Sequence, residues 1–306
     1  MARRRKKKKK SLLLIIIFCI MSFLFYKNPD LLEAFSIVNN DVVIHKIEAD
    51  GNLYIYYIDV GEADSILISN NGHNMLIDAG NNEDGPKLVN YLKNGLSISS
   101  FDYVIGTHPH EDHIGGLDNI INSFDVKKVY LPDSYTTTKT FEDVLTAIEN
   151  KNLEINVPDI GEEFILSSAI FRVLYTGTDL EDLNNSSIVL RMDFGDKSFL
   201  FTGDATESIE KELIKIPKLI DVDVLKVAHH GSEYSSTDTF LNYSTPEYAI
   251  ISLGTPNSYG HPGNGTLLRL KKYGVNILRT DELGTIILTS DGKDISIINE
   301  KTDTNG

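Results

Sequence analysis

Short apolar runs alternate with amphipathic segments along most of the chain. The runs predict strands at 53–60, 65–69, 74–80, 102–107, 127–132, 222–230, 247–254 and 275–280, and four more between Glu162 and Asp204. Helical spacing predicts helices over 86–95, 113–124, 140–151, 205–216 and 265–274, the third with Thr140 as its N-cap. Residues 284–298 predict a hairpin around Asp291-Gly292. This order predicts an α/β layered sandwich, folded as one domain over residues 42–306.

The first 26 residues follow a different pattern. Eight consecutive cations, residues 3–10, precede 16 almost wholly apolar residues, 11–26. A spanning helix needs about 17–25 such residues, but flanking cations can snorkel, so a short span is feasible. Because cationic flanks stay cytoplasmic, we predict a single-pass membrane anchor over 1–26, a linker over 27–41 and an extracellular domain. A cleaved signal segment with a secreted domain is the alternative.

The charge of the chain changes once these residues are set aside. Residues 28–306 carry 20 Lys and Arg against 44 Asp and Glu, a formal net charge of −24. Such a domain repels polyanions over its general surface. We therefore expect no general nucleic-acid surface, and a nucleic-acid substrate would need a local basic patch or metal ions. The single cysteine, Cys19, lies in the apolar run and leaves the exported part without disulfides.

The stretch THPHEDHIGG, residues 107–116, places three histidines and two acids within six positions, directly after a predicted strand. In an extended loop, residues two apart point to the same side, so His108 and His110 can hold one ion together. Asp112 and His113 begin the next helix, which turns them toward a second position. Imidazole and carboxylate are the ligands that zinc and similar divalent ions prefer. The alternative is a polar surface turn that happens to be rich in histidine.

Other strand ends supply further candidate ligands. Asp204 ends the apolar strand FLFTGD, although it can also cap the following helix. His229 and His230 end the run VLKVAHH, where one can bind a metal while the other faces substrate or bonds to the backbone. His261 lies in the loop YGHPG and is either solvated or functional. The buried acid Asp78 needs a partner, and a hydrogen bond to a ligand histidine would provide one.

For four further polar residues the sequence gives only a weak prediction of their role. Asp59 and Asp64 flank the turn DVGEADS, where each can support a ligand or merely cap the turn. His45 and His73 stand alone in the sequence, and we expect both to be structural or surface residues.

The motifs LIDAG, THPHEDHIGG, LFTGDA and VAHHGS, in this order, resemble the metallo-β-lactamase fold superfamily. DVGEADSILI, NNSSIVL, LKVAHHGS and NSYGHP also resemble the hydrolase domain of ComEC-type competence proteins. The resemblance covers nearly all of residues 50–300. It implies a four-layer αββα sandwich with two divalent metal ions at one edge, between the two sheets. Zinc is favoured and manganese is the alternative.

The resemblance also assigns roles to individual residues. It implies that His108 and His110 hold the first ion, that Asp112, His113 and His229 hold the second, that Asp204 bridges both, and that Asp78 supports a ligand. Many members of the superfamily bind the first ion with a further histidine, but here that region is DLNNSSIVL. Asn184, Asn185, Ser186 or water would have to take its place.

These expectations lead to a metal-dependent hydrolase. A bound divalent ion lowers the pKa of water enough to give hydroxide at neutral pH. Asp112 would act in catalysis, and His230 or His261 would supply the proton to the leaving group. The resemblance favours a phosphodiesterase or nuclease-like activity outside the membrane. The alternatives are a hydrolase of another envelope or small-molecule substrate (a wall phosphoester, a lactone or a lactam) and an inactive binding module.

Overall fold

The computed structural model describes Ile47 and residues 50–300, and these lie in one compact unit, Ile44–Gly306. The described residues form fifteen strands. In chain order these are β1 (Leu53–Tyr57), β2 (Ile66–Asn70), β3 (His73–Ile77), β4 (Ser100–Ile105), β5 (Asp125–Tyr130), β6 (Ile155–Asn156), β7 (Glu163–Leu166), β8 (Ala169–Tyr175), β9 (Val189–Phe194), β10 (Lys197–Phe201), β11 (Val224–Lys226), β12 (Tyr248–Ile251), β13 (Asn276–Arg279), β14 (Ile286–Ser290) and β15 (Ile295–Asn299).

Helices connect many of these strands. They are α1 (Gly85–Asn90), α2 (Glu111–Ile114), α3 (Leu117–Ser123), α4 (Lys139–Asn150), α5 (Glu207–Leu213), α6 (Pro217–Ile220), α7 (Asp238–Ser244), α8 (Asn264–Lys272) and α9 (Thr280–Leu283). A π-helical turn, Tyr91–Gly95, continues α1, and short 3-10 turns cover Leu183–Ser186 and His229–Gly231.

The strands form two sheets that pack face to face. The first sheet has the order β15-β14-β1-β2-β3-β4-β5-β6, and the second has the order β13-β12-β11-β10-β9-β8-β7. Both faces of a strand such as β1 are apolar: Leu53 and Ile55 pack between the sheets, whereas Tyr54 and Tyr56 pack under the outer helices. A sheet that is covered on both faces needs such continuous apolar strands rather than alternation.

Helices cover the outer face of each sheet and complete four layers. Ile120 of α3 and Val144 of α4 pack on the first sheet, while Leu241 of α7 and Leu270 of α8 pack on the second. The predicted αββα sandwich is therefore confirmed.

Parallel pairing determines where the candidate site lies. In the first sheet β3, β4 and β5 are parallel neighbours, and in the second sheet β10, β11 and β12 are. Loops that follow parallel strands leave at the same edge of a sheet, which is where open α/β sheets bind ligands. The segments beginning at Asp78, Gly106, Thr202 and Val227 all start at such carboxyl ends.

The predicted strands and helices are mostly present, with several corrections. Helix 113–124 is two helices, α2 and α3, because the chain turns at Gly115-Gly116. Strand 222–230 is only β11, and helix 205–216 is only α5 followed by α6. The N-cap prediction was wrong. Thr138, not Thr140, caps α4, and its hydroxyl accepts a hydrogen bond from the Phe141 amide at 3.3 Å.

The predicted membrane anchor, residues 1–26, and the linker, 27–41, lie outside the described residues. Within the described part of the chain, no helix is both long enough and apolar enough to cross a bilayer.

Candidate metal centre

The loop after β4 brings its polar residues to the edge between the sheets. His108 and His110 lie in the loop itself, and α2 presents Asp112 and His113. Gly115 and Gly116 allow α2 to pack directly on the backbone after β3, because a Cβ at either position would collide with main-chain atoms of Asn81 or Ala79. The close approach places His113 directly beside Asp78.

Four side chains converge on what we call the inner position: Asp112, His113, Asp204 and His230. One donor atom from each lies within 4.8 Å of the others. His113 Nε2 is 3.2 Å from Asp204 Oδ1 and 3.7 Å from Asp112 Oδ2, and His230 Nε2 is 3.2 Å from Asp112 Oδ2. These distances leave a small space that is surrounded by two imidazole nitrogens and two carboxylates.

Asp78 determines which nitrogen of His113 faces this space. Its Oδ2 lies 2.8 Å from His113 Nδ1, and Thr107 donates to both oxygens of the same carboxylate, each at 2.8 Å. Because an acceptor-only carboxylate requires a proton on Nδ1, the lone pair of a neutral His113 lies on Nε2. Asp78 thus occupies the supporting position that the sequence predicted.

His230 is oriented in the same way by a different partner. Its Nδ1 donates to the Ser252 carbonyl at 2.9 Å, which leaves Nε2 free to face Asp112. The backbone at His229 and His230 is unusual, because both residues have a positive φ, 50° and 49°. Consecutive non-glycine residues in this region are strained, and such strain concentrates at functional sites. The turn directs both imidazoles toward Asp204.

A second group of side chains forms what we call the outer position: His108, His110, Asp204 and His229. His108 Nε2 lies 3.0 Å from His110 Nδ1 and 4.0 Å from Asp204 Oδ2. His229 Nε2 lies 3.8 Å from the same Asp204 oxygen. Asp204 Oδ1 faces His113 at the inner position. Asp204 Oδ2 lies 3.8 Å from both His229 Nε2 and His230 Nε2, so the carboxylate is shared by the two positions, as a bridging ligand requires.

The structure assigns the adjacent histidines His229 and His230 to different positions from those that the sequence predicted. The prediction placed His229 with Asp112 and His113, and gave His230 a catalytic role. In the structure His230 is the histidine that joins those two residues. His230 is also nearly buried, whereas the side chain of His229 is 31% exposed. Ligand roles for both remain predictions, but the geometry favours His230 at the inner position.

The segment proposed to replace the missing histidine lies beside Asp204, since the Asp204 amide donates to Ser187 Oγ at 3.2 Å. Ser186 already donates to the Leu183 carbonyl and accepts from Ser134. Asn185 Oδ1 accepts from Thr206 and Ser208. Asn184 Oδ1 is buried and has no hydrogen-bond partner among the residues that the structure describes, so of the three side chains it has the oxygen that is available to an ion.

The charges at the inner position favour a bound cation. Burial lowers the pKa of His113, but the carboxylates of Asp204, Asp112 and Asp78 raise it well above its usual value. Burial also lowers the pKa of His230, yet Asp204, Asp64 and Asp112 raise it to about 9. Burial would raise the pKa of Asp204, but His113 and His230 hold it well below its usual range. Asp204 thus stays ionised and attracts positive charge, which a divalent ion would supply in place of the protons on the two imidazoles.

The residues present fit a divalent ion. His113 Nε2 and Asp204 Oδ1 are buried and face each other at 3.2 Å, and neither forms a hydrogen bond to any other group in the described part of the chain. Unsatisfied buried polar atoms are costly, and two donors aimed at one space are satisfied by an ion between them. Two imidazoles and two carboxylates match the preferences of zinc, and the same set also binds manganese or iron.

His261 lies at the mouth of the outer position. Its ring centroid is 5.5 Å from that of His229, and the exposed ring of Tyr259 is stacked on it at 6.1 Å. Burial and the charges of His229 and His230 lower the pKa of His261, so its ring is neutral at neutral pH. The carboxylate of Glu62 holds this loop by accepting from Ser258 Oγ at 3.2 Å.

The remaining predicted residues have simpler roles. Asp59 caps its turn by accepting from the Gly61 amide at 3.2 Å. His73 contacts Asp102 at 3.1 Å on the surface, as expected, and His45 lies outside the described residues.

The sequence interpretation missed Lys226. The sequence feature that could have revealed this residue is a lysine inside the apolar run VDVLKV.

An αββα sandwich with histidines and carboxylates at the edge between its sheets defines a metallohydrolase-type fold. The sequence profile of the Metallo-beta-lactamase superfamily matches residues 58–255, and the chain belongs to this superfamily. It therefore has the fold of metal-dependent hydrolases and carries candidate metal-binding residues.

Competence proteins are among its relatives. The chain is 32% identical over 247 residues to ComE operon protein 3 of Bacillus subtilis (strain 168), covering 75% of this chain and 32% of that protein. It is 28% identical over 229 residues to Competence protein ComA of Neisseria gonorrhoeae, covering 74% of this chain and 31% of that protein. The chain thus spans about a third of the length of the relatives it matches.

Solved structures share the fold at low identity. The metallo-beta-lactamase fold protein YhfI from Bacillus subtilis superposes with a TM-score of 0.55 at 12% identity, over 78% of this chain and 100% of that chain. CmlA, a diiron β-hydroxylase from Streptomyces venezuelae, superposes with a TM-score of 0.52 at 15% identity, over 78% of this chain and 54% of that chain. Both comparisons concern the fold alone.

Proposed function

We propose that this protein is a metal-dependent phosphodiesterase that binds two divalent ions, one at each position. The observation that carries the proposal is the inner position, where four donor atoms meet and where two buried ones, 3.2 Å apart, form no hydrogen bond to any other group among the described residues. The similarity to competence proteins supports a phosphodiester substrate. Because those relatives are about three times longer, their overall role in the cell is not carried over.

The side chains of the site would have different roles in such a reaction. Asp78 and Ser252 hold His113 and His230 with Nε2 directed to the ion, and Asp204 separates the two positions. When bound, the ions would supply Lewis acidity and neutralise charge on the phosphoryl oxygens. Asp112 is the partly exposed carboxylate of the inner position, where it can accept a hydrogen bond from an attacking water molecule. His261 lies beside His229, where its ring, once protonated, would donate to the leaving group, and its lowered pKa keeps that form a minor fraction at neutral pH.

The net charge favours a second candidate, a hydrolase of a small or neutral envelope substrate. With −24 over residues 28–306, the domain does not attract a long polyanion unless the ions do so locally. We also propose that residues 1–26 anchor the chain with the domain outside the membrane, from their cationic and apolar pattern.

Turnover by the purified full-length chain tests these alternatives. The substrates are bis(p-nitrophenyl) phosphate, single-stranded DNA and a chromogenic lactam, each assayed with zinc and with manganese. We expect phosphodiester turnover, lost in Asp112→Ala and retained in Asp143→Ala, which removes an exposed acid on α4. Turnover of the lactam alone would favour the second candidate. Metal binding without turnover of any substrate would indicate a binding module.

A further inference from the structure

Behind the inner position lies a buried ion pair that the proposed reaction does not use. Lys226 Nζ is 2.7 Å from Asp64 Oδ2, and both residues are only 1% exposed. The same ammonium donates to the Val227 carbonyl at 3.0 Å. Removing two charges from water costs several kcal/mol per ion, on the order of what their attraction returns. Stability alone is therefore a poor explanation for this pair.

The pair connects the two halves of the metal centre. Asp64 precedes β2 in the first sheet, and Lys226 ends β11 in the second. The Asp64 amide donates to the Asp112 carbonyl at 3.0 Å, so the carboxylate is fixed relative to α2. Lys226 is four residues before His230, at a position where alternation along β11 would otherwise place an apolar side chain between the sheets.

The carboxylate of Asp64 also faces the rear of both inner histidines. Its Oδ1 is 3.7 Å from His230 Nδ1, and its Oδ2 is 4.0 Å from His113 Nδ1. These nitrogens already have partners, Ser252 and Asp78 respectively. Within residues 50–300 and Ile47, no group forms a hydrogen bond with Asp64 Oδ1. The nearest counter-charge for this carboxylate is the ammonium of Lys226.

We propose that Asp64 and Lys226 are positioning residues, which hold the segment carrying His230 in register with the segment carrying Asp112 and His113. The inference rests on the proposed function, because it concerns residues that would hold a metal ion. Neither residue touches the ion or the substrate. The pair sets the distance between ligands from the two sheets, and loss of either partner loosens the inner position.

A purely electrostatic role gives the opposite prediction for one variant. An ammonium near the site repels divalent ions, so its removal would strengthen metal binding if charge alone mattered. A positioning role predicts weaker binding after the same change. The sign of the change in affinity therefore decides between the two roles.

The test compares Lys226→Met, Asp64→Asn and the double variant in the full-length chain. Zinc affinity is measured by competition with a chromogenic chelator, and ligand geometry by the visible absorption of the cobalt(II) protein. We expect each single variant to bind the inner ion about 10- to 100-fold more weakly, with an altered cobalt spectrum. The double variant should lose no more zinc affinity than either single variant, because each single change already removes the Asp64–Lys226 ion pair.

A matched control and a second variant keep the outcome clear. Lys197→Met is the control. Lys197 is a partly buried lysine at the start of β10 that pairs with Asp223 at 3.3 Å, and its loss should leave zinc affinity unchanged. Asp64→Asn keeps the shape of the side chain and removes only its charge, so it provides the test if Lys226→Met does not fold. Equal or tighter zinc binding in Lys226→Met overturns the inference, and so do unchanged zinc affinity and an unchanged cobalt spectrum in Asp64→Asn. Failure of the unsubstituted protein to bind zinc, manganese or cobalt would instead overturn the proposed function.

Discussion

The inner and outer positions share Asp204 but differ in how they are enclosed. At the inner position His113 and His230 are buried, and each has its Nδ1 bound by a second group, Asp78 or Ser252. At the outer position His108 is buried, but His110 and His229 are partly exposed. The further histidine of the superfamily pattern is missing from Asn184–Ser186, and His229 is the third histidine near this position instead.

This difference indicates two ions of unequal affinity. Ligands that are buried and oriented in advance lose little freedom on binding, so the inner ion should bind tightly. Exposed ligands with fewer fixed partners should hold the outer ion more loosely. The outer ion is also the one closer to the opening, where a substrate must enter.

The largest expected effect comes from Asp204→Asn, which removes a charge that both positions share. We expect loss of both ions and a fall of about a thousandfold in phosphodiester turnover. Metal content after dialysis and initial rates measure the two effects. Asp193→Asn, a partly exposed acid on β9, is the control and should retain both ions. Full occupancy of either position in Asp204→Asn would contradict a bridging role.

The adjacent histidines allow the two positions to be distinguished. His230→Ala should release the inner ion, because it removes a buried ligand beside Asp112. His229→Ala should leave the inner ion bound and weaken only the outer one. Metal content of the two variants, measured with limiting zinc, checks this prediction. The reverse pattern would restore the sequence prediction, in which His229 binds with Asp112 and His113.

A smaller effect is expected from His261→Ala. The ring lies 5.5 Å from the ring of His229 and belongs to neither group of four candidate ligands. We expect both ions to stay bound while kcat falls by about 10- to 100-fold. The kinetics of a substrate with an activated leaving group, compared with a poor one, show whether a proton donor was lost. Unchanged kcat for both substrates would exclude His261 from proton transfer.

The smallest effect concerns the substitute for the missing histidine. Asn184→Ala removes the buried amide oxygen that has no partner, and should weaken the outer ion by several-fold, on the order of one weak ligand. Asn185→Ala is the matched control, since its oxygen is already bonded to Thr206 and Ser208. Equal effects of the two changes on zinc affinity would mean that Asn184 acts only through the structure of the loop.

The sequence allowed much of this arrangement to be predicted, for identifiable reasons. His108–His113 are neighbours in sequence, so their common location follows from one loop. Asp204 and the His229–His230 pair end apolar strands, and parallel pairing brings such ends to one edge.

What could not be predicted depends on contacts between distant segments. The assignment of His230 rather than His229 to the inner position follows from a turn with two positive φ values and from the carbonyl of Ser252. The role of Lys226 depends on Asp64, which lies in the other sheet. Thr138 and Thr140 both suit an N-cap, and local sequence alone does not distinguish them.

The pairing of β1 with β14 has a consequence for how the chain folds during its synthesis. Leu53 lies opposite Ser290 and Tyr57 opposite Ile286, so the central strand of the first sheet obtains its second neighbour from the last part of the described chain. Contacts between such distant residues form slowly, because a long loop must close first. A ribosome must release nearly the whole chain before the first sheet is complete, so the N-terminal half is synthesised with β1 unpaired on one side.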